Sequence, residues 1–246
     1  MQQTHHPARA LTLQKGENVR DLGGYSTRDG GQTQWRRFVR CGDMFDLTPA
    51  DQRTLLDYGI TTVIDLRMEW EVADKPNVFA TSDEVRFLRH DFWGDRFDDY
   101  RSPDRRASPA RKLADLYCSG LEKSGFVMAQ IMTTFADSPD VGYAFHCRSG
   151  KDRTGLVAAI LLSVAGVPGD VICADFELTS TYLKSHAVNP IDAKAPGQWQ
   201  RHCDAQTMAL TLAFLVNEYG GVDAYLKSAG VTDAQLKVVR DKLVGP

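Results

Sequence analysis

The chain has 246 residues and a formal net charge of −3 at neutral pH, long enough for a substantial core and without a Pro/Gly/Ser-rich linker, so residues 1–246 are expected to form a single domain. The small negative charge provides no basic field for nucleic acid. No apolar run is long enough to span a bilayer, and the opening MQQTHHPARALTLQ lacks the apolar core of a signal peptide.

In chain order, WRRFVR (35–40) reads as a short strand. TPADQRTLLDYG (48–59) reads as a helix, with Thr48 as cap, Pro49 at the first position and Gly59 as stop. ITTVIDL (60–66) is rich in β-branched residues and reads as a buried strand, and VRFLRH (85–90) as another. Residues 91–111 are charged and aromatic, a long loop or cover. Helical periodicity runs from 113 to 137 and breaks near Gly120 or Gly125. Residues 91–137 therefore read either as a lid that contributes substrate contacts or as an ordinary helical insertion. VGYAFHC (141–147) is a strand and TGLVAAILLSVAG (154–166) an apolar, central helix. Further helices fall at roughly 168–184, 205–219, 221–228 and 232–243. Strands alternating with helices imply an α/β fold with a central, mostly parallel sheet flanked by helices. In such folds ligands bind at the carboxyl ends of strands, which is where Cys147 falls.

HCRSGKDRTG (146–155) lies at that junction. A strand that stops just before a helix starts leaves main-chain N–H groups pointing into one concavity, and the helix dipole favours an anion there. Gly150 lets the backbone bend, and Arg153 offers a planar fork of donors to two phosphate oxygens. The same field acts on Cys147, whose thiolate is the nucleophilic form. Attack on phosphorus would give a cysteinyl-phosphate that water then hydrolyses. The bare spacing of cysteine and arginine is a weak signal; the strand, glycine, cations and helix around it carry the weight. The bland alternative is a buried cysteine ending a core strand, with Arg153 in a surface ion pair. The five cysteines (41, 118, 147, 173, 203) are an odd, scattered set without disulfide-framework or metal-site spacing. They imply a reducing, cytoplasmic setting with no metal and no other cofactor.

The decapeptide resembles the phosphate-binding loop of cysteine-dependent phosphatases, and its GKDRTG ending resembles the bacterial and fungal atypical tyrosine-phosphatase family, some of whose members hydrolyse phosphoinositides. ENVRDLGGY (17–25) is similar to the NxRDLGG motif of that family, VIDLRMEWE (63–71) to its DLR-x-x-x-E segment, and DFELTSTYL (175–183) to the helix that follows the loop. Arg148 and Ser149 depart from the pattern, which bears on pocket depth and substrate choice. The resemblance implies a protein-tyrosine-phosphatase-like fold and a phosphatase acting on phosphotyrosine, with dual-specificity or phosphoinositide activity as the alternative. The partner it implies is a phosphorylated protein or phosphoinositide. A sulfur- or arsenate-handling enzyme and a non-catalytic phosphate-binding module are the readings from other classes.

Carried over residue by residue, the resemblance makes Cys147 the nucleophile and Arg153 the group that holds the phosphoryl oxygens in the transition state. Arg148, Ser149, Gly150, Lys151, Asp152 and Arg153 would line the phosphate site. Thr154 would hydrogen-bond the departing thiolate. His146 either orients the loop or is a satisfied core histidine. Lys151 adds a second cation and keeps inositol lipids open as substrates. Four aspartates compete as general acid: Asp152 inside the loop, Asp65 at a strand end, Asp95 in FWGD, which superficially resembles the Trp-Pro-Asp loop of other tyrosine phosphatases, and Asp91. For Asp65 the alternative is an ion pair with Arg67 or Arg20, and for Asp95 a solvated loop charge. Asn18, Arg20, Asp21, Gly23 and Gly24 are expected to form a turn that supports the loop. Cys41 follows a strand and is a candidate for a reversible disulfide with Cys147.

Overall fold

The apolar, β-branched segments pair into one sheet. In the computed structural model, which describes residues 6–94, 106–138, 142–183 and 198–245 (the side chains of 198 and 199 excepted), its strands are β1 (Arg20–Asp21), β2 (Phe38–Cys41), β3 (Ile60–Asp65), β4 (Arg86–Arg89) and β5 (Gly142–His146). They lie in the order β1-β2-β5-β3-β4. Only β1 and β2 run antiparallel; the other pairs are parallel. The sheet is thus the mostly parallel one expected, flanked by helices. β2 starts three residues later than the sequence suggests. Trp35 is committed elsewhere: its main chain and ring lie so close to Gly23 and Gly24 that a Cβ there would fall 2.7 and 2.3 Å from it. Arg36 next to it has φ 64°.

Helix α1 (Pro49–Tyr58) begins in a capping box formed by Thr48 and Asp51 and ends at Gly59, whose φ of 103° requires glycine. Helix α2 (Glu69–Asp74) was not legible in the sequence; its six residues are too few for an apolar stripe to show. The periodicity of 113–137 resolves into α3 (Pro109–Lys123) and α4 (Gly125–Asp137), which meet at Ser124, and α3 starts four residues early behind a Ser108 cap. Helix α5 (Asp152–Val164) is buried on nearly every side, as its unbroken apolar run demands. The next helical stretch divides at Leu178 into α6 (Gly169–Glu177) and α7 (Thr179–Tyr182). Helices α8 (Ala205–Tyr219), α9 (Val222–Ser228) and α10 (Asp233–Val244) follow. Among the described residues no helix is long and apolar enough to cross a membrane.

Strand side chains alternate between two cores. Phe38, Ile64, Tyr143 and Phe145 join the large helical layer, which includes α5 residues such as Leu156 and Ile160. Val39, Cys41, Val63 and Ala144 face the smaller layer with Leu55 of α1. Cys41, His146, Asp65 and Arg89 form one row of partners at the carboxyl edge of the sheet. The segments after β2, β3 and β5 therefore emerge side by side, and that edge is where the site is built.

Candidate active site

The loop 147–151 is held by its carbonyls. His146 Nδ1 donates to Cys147 O (3.2 Å), Asp43 N to Arg148 O (3.0 Å), and Gly155 N to Lys151 O (2.9 Å). Asn18 Nδ2 donates to both Ser149 O (3.1 Å) and Gly150 O (2.9 Å), and Arg40 Nη2 also reaches Gly150 O (2.9 Å). Five consecutive carbonyls are thus drawn outward. The N–H groups of 148–153 have no partner among the described residues, and the last two belong to the first turn of α5. An arc of free donors at a helix N-terminus is an anion site. Gly150 makes the arc possible: its φ is 67°, and a Cβ would sit 2.5 Å from Cys41 O. The turn expected to support the loop does so through Asn18.

Arg153 is 6% exposed. Its Nη1 and Nη2 donate to the two carboxylate oxygens of Glu71 at 2.5 and 2.9 Å. Burial opposes its charge, but the Glu71 carboxylate, with Cys147 and Asp152 nearby, raises its pKa above the ordinary value. Glu71, held below the usual carboxylate range against its own burial by Arg153, sits on α2. Arg153 Nε and Thr154 Oγ1 are buried with no hydrogen-bond partner among the described residues, so both remain available to a ligand in the arc. Cys147 is 1% exposed and belongs to the large core.

His146 is buried and neutral: burial drops its pKa despite the pull of Asp65. Asn77 Oδ1 accepts from Phe79 N (2.8 Å), which turns Asn77 Nδ2 toward His146 Nε2 (2.7 Å). Nε2 is therefore an acceptor, and the proton sits on Nδ1, facing Cys147 O. The imidazole orients the loop rather than exchanging protons.

Of the four aspartates, Asp65 is committed elsewhere. Asp65 lies in register with His146, one residue before Cys147, so it projects to the opposite side of the sheet. Its carboxylate is fully buried and grips the Arg67 main-chain N (2.9 Å), Nε (3.0 Å) and Nη2 (2.7 Å). Burial works against its charge, yet Arg67 holds it below the usual carboxylate range. Asp91 Oδ1 caps Gly94 N at 2.7 Å. Asp95 lies outside the described residues. Asp152, within the loop, has its Oδ1 bonded by Lys151 Nζ and by Tyr117 Oη, each at 2.6 Å. Lys151 is itself buried and also reaches His202 O at 3.4 Å, so its ammonium is committed to Asp152 rather than open to solvent. Cys41 packs in the smaller core, on the other face of the sheet from Cys147; the structure does not bring the two thiols to one face.

Behind the loop, Asp175 of α6 joins two fully buried guanidiniums. Its Oδ2 accepts from Arg40 Nη1 (2.6 Å) and its Oδ1 from Tyr25 Oη (2.7 Å) and Arg20 Nε (3.3 Å). Arg20 also bonds Asn18 Oδ1, which connects this network to the loop. Burial opposes the charge on Asp175, but Arg20 and Arg40 hold its carboxyl far below the usual range. Asp175→Asn strands two buried cations and is expected to cost about 3–5 kcal/mol of stability. A depressed folded-state pKa contributes stability above the unfolded value near ~3.9 and loses it as pH falls toward the folded value. Melting temperature against pH should therefore drop less steeply below about pH 4 in the variant; an equal decline in both proteins would refute the assignment.

Sequence reading did not single out Glu71, Tyr117, Asn77, Arg40 or Asp175. Glu71 and Asp175 do stand at the end and head of two motifs already quoted, DLR-x-x-x-E and DFELTSTYL, and that is the signal that could have found them. Beside the loop a cleft of about 320 Å³ is lined by Arg148, Lys15 and Lys75 together with the carboxylates of Glu17, Asp43 and Asp46, so its charges balance.

The loop between β5 and α5 thus sets Cys147 and Arg153 at the two ends of an arc of N–H groups that have no partner among the described residues, the geometry of an anion site. Comparison with known proteins agrees. The tyrosine phosphatase family matches residues 11–245. A tyrosine-protein phosphatase of Nostoc commune is 31% identical over 84% of this chain and 74% of its own. The triple specificity protein phosphatase PtpB of Mycobacterium tuberculosis is 26% identical over 92% of this chain and 99% of its own. The chain belongs to the tyrosine phosphatase family, and it is a phosphatase, a phosphoric monoester hydrolase.

Proposed function

We propose that the protein hydrolyses phosphotyrosine through a cysteinyl-phosphate on Cys147. What carries this reading is the arc of unpartnered N–H groups from 148 to 153, with Cys147 at one end and Arg153, fixed by Glu71, at the other. The three non-bridging phosphoryl oxygens take those donors and the Arg153 guanidinium, which stabilise the equatorial charge as the P–O bond breaks. Sγ of Cys147 forms the P–S bond while the ester oxygen leaves. Asp152 gives that oxygen its proton and then takes one from the water that breaks the P–S bond. Asp65 has no free edge for this role. Thr154 Oγ1, buried and unpartnered, suits donation to the thiolate as it leaves phosphorus. Side-chain and main-chain groups supply the whole of this chemistry. Five free cysteines fit a reducing compartment, the cytoplasm, where a thiol nucleophile persists.

Dual-specificity or phosphoinositide activity is the second reading. The name of the Mycobacterium tuberculosis relative favours it. Phosphate release from matched phosphotyrosine, phosphoserine and phosphothreonine peptides and from monophosphorylated phosphoinositides separates the two. The expected result is kcat/KM highest for phosphotyrosine; turnover of the lipids with none of the phosphotyrosine peptide overturns it.

A further inference from the structure

Tyr117 lies in the middle of α3, fully buried in the large core, its ring edge-on to Phe176 with centroids 6.0 Å apart. Phenylalanine would fill the same space without burying a hydroxyl, which costs free energy unless it is hydrogen-bonded. Among the described residues that hydroxyl has one partner, Asp152 Oδ1, at 2.6 Å. The same oxygen takes Lys151 Nζ at 2.6 Å, while Oδ2 has no partner among the described residues. The Asp152 side chain is 30% exposed, against 1% for that of Lys151. A carboxyl anchored at one oxygen by two donors has its other oxygen fixed in direction.

We propose that Tyr117 is a positioning residue for the reaction: it and Lys151 pin Oδ1 of Asp152, so that Oδ2 carries the proton and presents it to the leaving-group oxygen. This rests on Asp152 being the general acid. The division of labour follows from where a proton can reside. Oδ1 faces an ammonium and a hydroxyl, both donors, and a proton there would meet two others. Oδ2 is left as the only oxygen able to hold it. Helix α3, expected as part of a lid or insertion, thus reaches the chemistry through one hydroxyl. Burial and the Asp152 charge keep that hydroxyl protonated, a donor across the working pH range. The ionisable groups facing Asp152 are Lys151 in the loop, Arg153 on α5, Tyr117 on α3 and Cys203 in the segment before α8. Without a ligand, Lys151, Tyr117 and Arg153 favour the carboxylate and hold it below its usual range despite burial; the negative charge of a bound phosphate ester opposes them and draws the proton onto Oδ2.

The test compares the wild type, Tyr117→Phe, Asp152→Asn and the double variant on aryl phosphates of graded leaving-group pKa, each across pH. If Tyr117 orients the acid, the loss in kcat for Tyr117→Phe grows with leaving-group basicity, from at most about threefold for nitrophenolate-type groups to about 10- to 30-fold for phenolate. Removing a donor to the carboxylate raises the Asp152 pKa, so the basic limb of kcat moves up by about half to one pH unit. The double variant loses no more than Asp152→Asn alone. Melting temperature confirms that the helix still packs. A loss independent of the leaving group, or an unmoved basic limb, in Tyr117→Phe refutes the positioning role alone. If Asp152→Asn itself shows no dependence on the leaving group, the general-acid reading fails first and the positioning role falls with it.

Discussion

Cys147→Ser protein is expected to release no measurable phosphate from any ester that the wild type hydrolyses, a loss of roughly 10⁴-fold or more in kcat. A serine hydroxyl at that position stays protonated at neutral pH and is a far poorer nucleophile than a thiolate, and no other cysteine lies at the end of the N–H arc. Binding should survive. The donors at 148–153, Arg153 and Thr154 are untouched by the substitution, so inorganic phosphate should still raise the melting temperature of the variant. The two readouts separate a catalyst from a phosphate-binding module. Residual turnover at a few per cent of wild type would remove the cysteinyl-phosphate mechanism. Loss of phosphate protection would mean instead that the thiol organises the loop rather than merely reacting in it. The cost to the fold should be small, about 1–3 kcal/mol for a hydroxyl in a buried, largely apolar position.

The parts of the site that share one stretch of chain were legible in the sequence. Cys147, Gly150, Arg153 and Thr154 fall within eight residues, and the strand before them and helix after them carry clear periodicity. Asn18 was legible because a glycine-rich turn follows it. Illegible were the partners that meet only through space. Glu71 and Arg153 are 82 positions apart, Asp175 and Arg20 are 155 apart, and Tyr117 and Asp152 are 35 apart. Nothing in local pattern distinguishes a glutamate that clamps an arginine from one that faces water.

The Asp65 case shows a different limit. The sequence places it at the right edge of the sheet, next to the strand that ends in Cys147. Which face it uses depends on the interstrand register, and Asp65 pairs with His146 rather than with Cys147. A shift of one residue moves a side chain to the other side. Cys41 pairs with the same histidine and is carried to the same face. Both expectations turned on a register that a single chain of letters does not display, whereas the choice of strand, helix and loop did not.

Glu71→Gln should then reveal what holding Arg153 is worth. The substitution keeps shape and volume but replaces one accepting oxygen with an NH₂ group that faces a guanidinium N–H. One of the two bonds is lost, and the fork can swing. Two effects compete. Removal of a unit negative charge near a bound dianion favours that dianion, by about 4 kcal/mol for a separation of ~8 Å and an effective dielectric of ~20. Loss of aim works against the transition state alone, because only there must both Arg153 nitrogens meet oxygens in one plane; misplacement of about 1 Å costs about 10²-fold. The expected result is a split: kcat falls roughly 10²- to 10³-fold, as when a preorganised donor is removed, while inhibition by inorganic phosphate changes less than about tenfold or grows tighter. Stability also falls, since Arg153 stays buried with less compensation, by an amount below the about 3–5 kcal/mol of a fully broken buried pair. An unchanged kcat with weakened phosphate binding would reverse the ranking of the two effects. It would make Glu71 a regulator of charge rather than of geometry, with Arg153 held in place by the loop itself.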